Sequence, residues 1–269
     1  MKIAYISLSF LLLSLSVYSQ EDHWETYMAR YEDGPGSTLV NMSLKTSAPV
    51  KRYPVLLKAG VKLKKCTADG LFTNEESDVL YSISDKIKAR LDSLEKNISA
   101  GTFTYQCART DYYYIGDTTH VRTVLAAAFT TYLPNYEYII EIRPDTAWNS
   151  YLLFLYPNEE TMEYIEDSKV VINLYKAGDD LSKPRQVDHW GYFKTEADRD
   201  AFLKYAEQEK FKLEGKKYID KSELPYQLHF SRTDMVDLPS ITAVTLKLRR
   251  KAKELHGNYD GWETFVIKK

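Results

Sequence analysis

Two apolar stripes at helical spacing, each set among strand-like segments, constrain this chain more than any other feature. Leu80, Ile83, Ile87, Leu91 and Leu94 recur at intervals of 3, 4, 4 and 3, which puts them on one face of a helix. Ile241, Val244, Leu248, Ala252 and Leu255 form a second stripe in a helix running from about Ser240 to Leu255, which Gly257 is expected to end. A one-sided helix must lay its face on another layer. Around the first stripe the pattern predicts a strand from Tyr53 to Lys64, then a hairpin of Gly101–Ala108 and Asp111–Ile115. A short alanine-rich helix, Val121–Phe129, and a strand, Tyr136–Arg143, follow. Around the second it predicts strands at Val187–Phe193, Phe211–Leu213, Tyr226–Phe230 and Gly261–Ile267. A helix capped by Thr195 fills the first gap between them.

The order strand-helix-strand-strand-helix-strand thus occurs twice, without any repeat of sequence. That is the split βαβ order of a ferredoxin-like sandwich. The expected fold class is α+β: two ferredoxin-like antiparallel-sheet domains in tandem, each with four strands and with helices on one face. Several local signals refine this. Trp24–Tyr31 and Ser37–Leu44 read as an opening hairpin turning at Gly34-Pro35-Gly36. Thr73 with Glu76 has the spacing of a capping box. Ser150–Tyr156 reads as a further strand, and Glu159–Tyr175 as a helix with Met162, Ile165 and Leu174 inward.

Residues 1–19 read as an export signal. Lys2 precedes an apolar run from Ile3 to Val17, and Val17-Tyr18-Ser19 offers a cleavage site before Gln20. The run is shorter than the roughly 20 residues of a spanning helix, although an uncleaved anchor is the competing reading. The expected domains are then residues 20–157 and 158–269. The product would be periplasmic or extracellular, with no membrane anchor after cleavage. A net charge of −2 argues against a general nucleic-acid binder. Cys66 and Cys107 have no neighbouring His or Cys to complete a metal set, and no cofactor motif occurs. An oxidising compartment permits a disulfide between them. In the expected sheet, however, their strands have another between them, and two steps of about 4.8 Å exceed the reach of a bridge. This favours two free buried thiols, while leaving room for Cys66, in a turn, to fold across.

Two segments concentrate aromatic and acidic residues: Val187-Asp188-His189-Trp190-Gly191-Tyr192-Phe193 and Asn258-Tyr259-Asp260-Gly261-Trp262-Glu263-Thr264. They hold two of the four tryptophans. In the expected sheet these strands are adjacent, and one face is free of helices. Aromatics on that face would make a contact patch of the kind enriched at interfaces. On the other face they would be core. Alternation separates Trp190 and Tyr192 from His189 and Phe193 but does not say which set faces out. The candidate partner-binding residues are therefore Asp188, His189, Trp190, Tyr192, Arg232, Tyr259, Asp260 and Trp262. Arg232 has a local alternative in Asp234 or Asp237. The basic run Lys247, Arg249, Arg250, Lys251 and Lys253 reads as a solvated helix face. No catalytic histidine spacing, nucleophile elbow or phosphate loop is present.

Residues 158–269 resemble the RraB family, regulators of ribonuclease E activity, through the leading helix, the strand VDHWGYF before Thr195, and the closing YDGWET. The resemblance implies a ferredoxin-like fold and a non-catalytic protein that binds an enzyme and restrains it. The chain lacks the long acidic tail of the cytoplasmic regulators and carries an export signal, so that ribonuclease is an improbable target. The first half resembles a domain of unknown function (family six-nine-five) through Trp24 to Tyr31, the Ala68-Asp69-Gly70 turn and Tyr112-Tyr113-Tyr114. The expectation is an exported, non-enzymatic protein acting on an unidentified protein partner. The alternatives are a hydrolase with a His/Asp site between the domains and a small-ligand sensor.

Overall fold

The computed structural model describes residues 22–94 and 96–268; the expected export signal lies outside them. The chain divides into two compact units, one up to Tyr156 and one from Pro157. Both are α+β, each built on one antiparallel sheet.

The N-terminal unit contains β1 (Trp24–Tyr31), β2 (Gly34–Asn41), β3 (Val55–Lys62), α1 (Asn74–Asp92), β4 (Asn97–Tyr105), β5 (Ala108–Ile115), α2 (Val121–Tyr132) and β6 (Tyr138–Pro144). Its sheet has six strands in the order β1-β2-β4-β5-β3-β6. The last four keep the split βαβ order. The expectation of four strands is corrected, because the opening hairpin pairs onto β4 and extends the sheet. The hairpin turns at Glu32-Asp33, so Gly34, Pro35 and Gly36 begin β2 instead of forming the turn. A side chain at Gly36 would lie 2.7 Å from the rings of Tyr31 and Phe103.

One face of this sheet carries Leu57, Ala59, Val61, Tyr113 and Ile115, packed under the expected stripe of α1 and under Val121, Leu125 and Phe129 of α2. The capping box does not form. Thr73 makes no capping bond, and Glu76 instead accepts hydrogen bonds from the backbone N–H groups of Lys64 and Lys65 and from the Tyr136 hydroxyl.

The other face is closed by the segment after β6. Here the expected strand is a six-residue π-helix, Ser150–Leu155. A short apolar run does not by itself distinguish strand from helix; Asp145 decides. Its carboxylate accepts from the N–H groups of Asn149 and Ser150 and from the Tyr114 hydroxyl, at 2.8–2.9 Å, and turns the chain back. Trp148 then stacks on Tyr114 at 3.8 Å and donates its indole N–H to the Tyr53 carbonyl. Tyr151 and Leu155, four apart, point inward, while Leu153 is 78% exposed.

Cys66 and Cys107 form a disulfide, with Cα atoms 5.5 Å apart. The expectation of free thiols placed Cys107 within a strand. It sits instead in the two-residue turn Gln106-Cys107, both at positive φ, between β4 and β5. Since β5 lies directly beside β3, the turn reaches the segment just past β3, where the Leu63 N–H donates to the Cys107 carbonyl at 2.7 Å.

The C-terminal unit contains α3 (Glu159–Lys176), β7 (Arg185–Phe193), α4 (Glu196–Gln208), β8 (Lys212–Tyr218), β9 (Tyr226–Asp234), α5 (Leu238–Glu254) and β10 (Gly257–Glu263). The strand order is β10-β7-β9-β8, again the split βαβ order. Thr195 caps α4 as expected, accepting from the Asp198 N–H. Phe193, Phe202, Phe230, Leu248 and Tyr259 form the main core under α4 and α5. Val171 and Leu174 of α3 form a second cluster with Val187, Ile241 and Trp262. The last strand starts four residues earlier than expected. His256, at φ 51°, makes the turn after α5, so Gly257 opens β10. A Cβ at Gly257 would lie 2.3 Å from the Phe193 ring, which leaves room only for glycine. Asp260-Gly261 is a bulge inside β10, with Gly261 at φ 134°.

The basic run of α5 is not simply solvated. Arg249 bonds Glu163, Arg250 lies 3.8 Å from Glu160 and Lys253 3.0 Å from Glu159, forming a ladder between α5 and α3. Among the described residues no helix is long and apolar enough to cross a membrane.

Candidate functional site

The register of β7 splits the aromatic candidates between two faces. Val187, His189 and Phe193 point under the helices and are fully buried. Asp188, Trp190 and Tyr192 alternate with them onto the helix-free face and are partly exposed. Trp262 pairs with His189 across the bulge and so joins the covered face. Its indole N–H donates to Asp167 at 2.8 Å. Tyr259, also fully buried, shares a 2.8 Å hydrogen bond with His189 Nδ1.

His189, Tyr259 and Trp262 are therefore corrected from contact residues to core residues. Burial lowers the His189 pKa from 6.5 to about 3, with the charges of Arg232 and His229 adding to the effect. The ring is neutral at ordinary pH. Arg232 takes its local alternative: it bonds Asp234 at 2.9 Å, lies 4.1 Å from the Phe211 centroid and donates to the Glu209 carbonyl. Its planar fork closes the end of α4 onto β9.

On the helix-free face, Trp190 lies opposite His229, and the two rings stack at 4.6 Å and 7°. His229 Nε2 shares a 2.8 Å hydrogen bond with Asp188, which also accepts from Gln186. Gln227 donates to the Tyr192 hydroxyl at 2.8 Å. Each aromatic is thus held in place by a polar neighbour on the adjacent strand, which lowers the entropy lost when something docks on it. His189 and His229 point to opposite faces, so they do not make a shared site. Among the described residues, no group of three or more His, Cys, Asp or Glu is placed to hold a metal ion.

At the β10 edge, Trp190 reaches past Gly261 into a groove of about 260 Å³, lined also by Asp260, Trp262 and Glu263, by Glu163, Glu166 and Asp167 of α3, and by Arg249. Asp260 therefore lies at the groove. Burial raises the pKa of Glu163, against the opposing pull of Arg249, and of Asp167, against the hydrogen bonds from Thr245 and Trp262. With five carboxylates and one arginine the groove is acidic. Sequence reasoning missed His229 and Gln227 as supports of the face, and also Glu163 and Asp167. The last two had a signal: they occupy inward positions of α3, eight and four residues before Val171 respectively, where apolar side chains are the rule.

These features define a class: a two-unit α+β protein whose second sheet presents ordered aromatics beside an acidic groove. Residues 22–156, half of the chain, match the model of a Family of unknown function (DUF695), and the chain belongs to that family. Residues 164–264 match the model described as Regulator of ribonuclease activity B, so the C-terminal unit is RraB-like. No curated protein matches the chain.

Proposed function

We propose that this is an exported, non-catalytic regulator that binds another protein through the helix-free face of its RraB-like domain. The Trp190–His229 stack carries the reading. It is a flat aromatic surface, partly exposed and held by Asp188, and the core does not need it. Tyr192 widens the face, and the acidic groove beside it suits a partner with cationic side chains. The family description names a regulator of ribonuclease activity; for an exported chain the restrained enzyme would be an extracytoplasmic one.

The test is capture from the exported fraction by immobilised mature protein, run beside Trp190→Ala and Tyr192→Ala. A protein identified by mass spectrometry that binds the wild type directly, and is lost with Trp190→Ala at unchanged thermal midpoint, supports the reading. Equal binding by wild type and both variants sinks it.

The Asp188–His229 hydrogen bond favours a second reading, in which His229 is a general base. Hydrolysis that disappears in His229→Gln would establish this alternative in place of the first.

A further inference from the structure

The N-terminal unit has a cleft of about 460 Å³ beside α1 and the loop after α2. That size is within the range of small-molecule sites. Its base is apolar, with buried Ile83 and Leu133. Two lysines flank it: Lys64 Nζ lies 4.1 Å from the Tyr136 centroid, and Lys86 Nζ 5.9 Å from that of Tyr132. Neither lysine makes a salt bridge to another described residue, whereas Lys58, Lys62 and Lys88 of the same unit each do. The lining holds a single carboxylate, Asp78, and the Glu76 carboxylate behind the wall is taken up by backbone N–H groups and the Tyr136 hydroxyl, not by either ammonium.

The cationic wall is also built in advance. Buried Glu76 accepts hydrogen bonds from the Tyr136 hydroxyl and from the Lys64 and Lys65 N–H groups, at 3.0, 3.0 and 3.1 Å. Two residues beyond Lys64 the disulfide ties the same turn to the β4–β5 hairpin. An apolar base under two unneutralised ammonium groups matches one ligand chemistry: an anionic head on a short apolar body.

We propose that this cleft binds a small organic acid. Its carboxylate is taken by Lys64 and Lys86, and its apolar body packs against Ile83 and Leu133. This is independent of the protein-binding face of the other unit.

The mature full-length chain is titrated calorimetrically with naphthoate and octanoate, and with their neutral amides as controls. Saturable one-to-one binding of at least one acid is expected. Its amide should bind at least about tenfold more weakly, since loss of a charge-assisted contact is worth that much. The Lys64→Gln/Lys86→Gln variant should show a similar loss at unchanged thermal midpoint, and Trp190→Ala should show none. If the double variant is unstable, Lys86→Gln alone, at an exposed helix position, takes its place. Absence of saturable binding by both acids, equal affinity for acid and amide, or full affinity in the lysine variant would overturn the proposal.

Discussion

In the N-terminal unit the side of the sheet away from α1 and α2 is closed by Trp148, Tyr151 and Leu155, all fully buried. In the C-terminal unit the side away from α4 and α5 carries Trp190, Tyr192 and His229 in partly exposed positions. The four strands of the split βαβ unit have the same order in both. The difference lies in where each unit puts its additional element. The π-helix after β6 folds onto the helix-free side of the first sheet. In the second unit α3 packs beside α5 and covers Trp262 instead. A shared topology therefore leaves the role of a sheet face open until the appended segment is placed.

The strongest way to break this comparison is Trp148→Ala. Removing a fully buried, stacked tryptophan should cost about 3–5 kcal/mol, read as a lower urea midpoint for the N-terminal unit. A loss below about 1 kcal/mol would mean the plug is not core. Next is the double substitution Cys66→Ser/Cys107→Ser. It should cost that unit about 2–4 kcal/mol and leave the C-terminal transition in place.

The third test is acid. Unfolded, His189 takes up a proton as pH falls below 6.5; folded, it stays neutral until about 3. At this site the unfolded chain binds more protons across that window, so the contribution of His189 to the stability of the C-terminal unit should fall by up to about 1.4 kcal/mol per pH unit on acidification. The urea midpoint of wild type should fall relative to that of His189→Phe as pH falls from 7 to 5; a constant difference would remove the neutral core histidine from the account. The smallest stability effect belongs to Trp190→Ala, below about 1 kcal/mol by the same urea assay. A loss as large as that of Trp148→Ala would show that the two faces are alike after all.

Much of the architecture was legible because it rests on periodicity. The stripe Leu80 to Leu91 and the alternation from Val187 to Phe193 each state which residues share a face. The sign of a face was not legible where both sides carry aromatics, as with Trp190 and Tyr192 against His189 and Phe193. What resolves it is the pairing of Trp262 with His189 under α3, a contact between segments 73 residues apart in sequence. The disulfide was missed for a related reason. Spacing between strands was applied to Cys107, which belongs to a turn, and a turn reaches sideways where a strand does not. The π-helix depended on Asp145, a single acceptor outside the apolar run it redirects.

The ladder between α3 and α5 changes what the charge of the last helix means. Written out, Lys247 to Lys253 looks like a landing strip for polyanions. In the folded chain Arg249, Arg250 and Lys253 are matched by Glu163, Glu160 and Glu159. The cations that a polyphosphate backbone would use already face carboxylates of the neighbouring helix, so less is gained when it binds. On a heparin column at moderate ionic strength the protein should run near the void, and the cationic helix should behave as a seam.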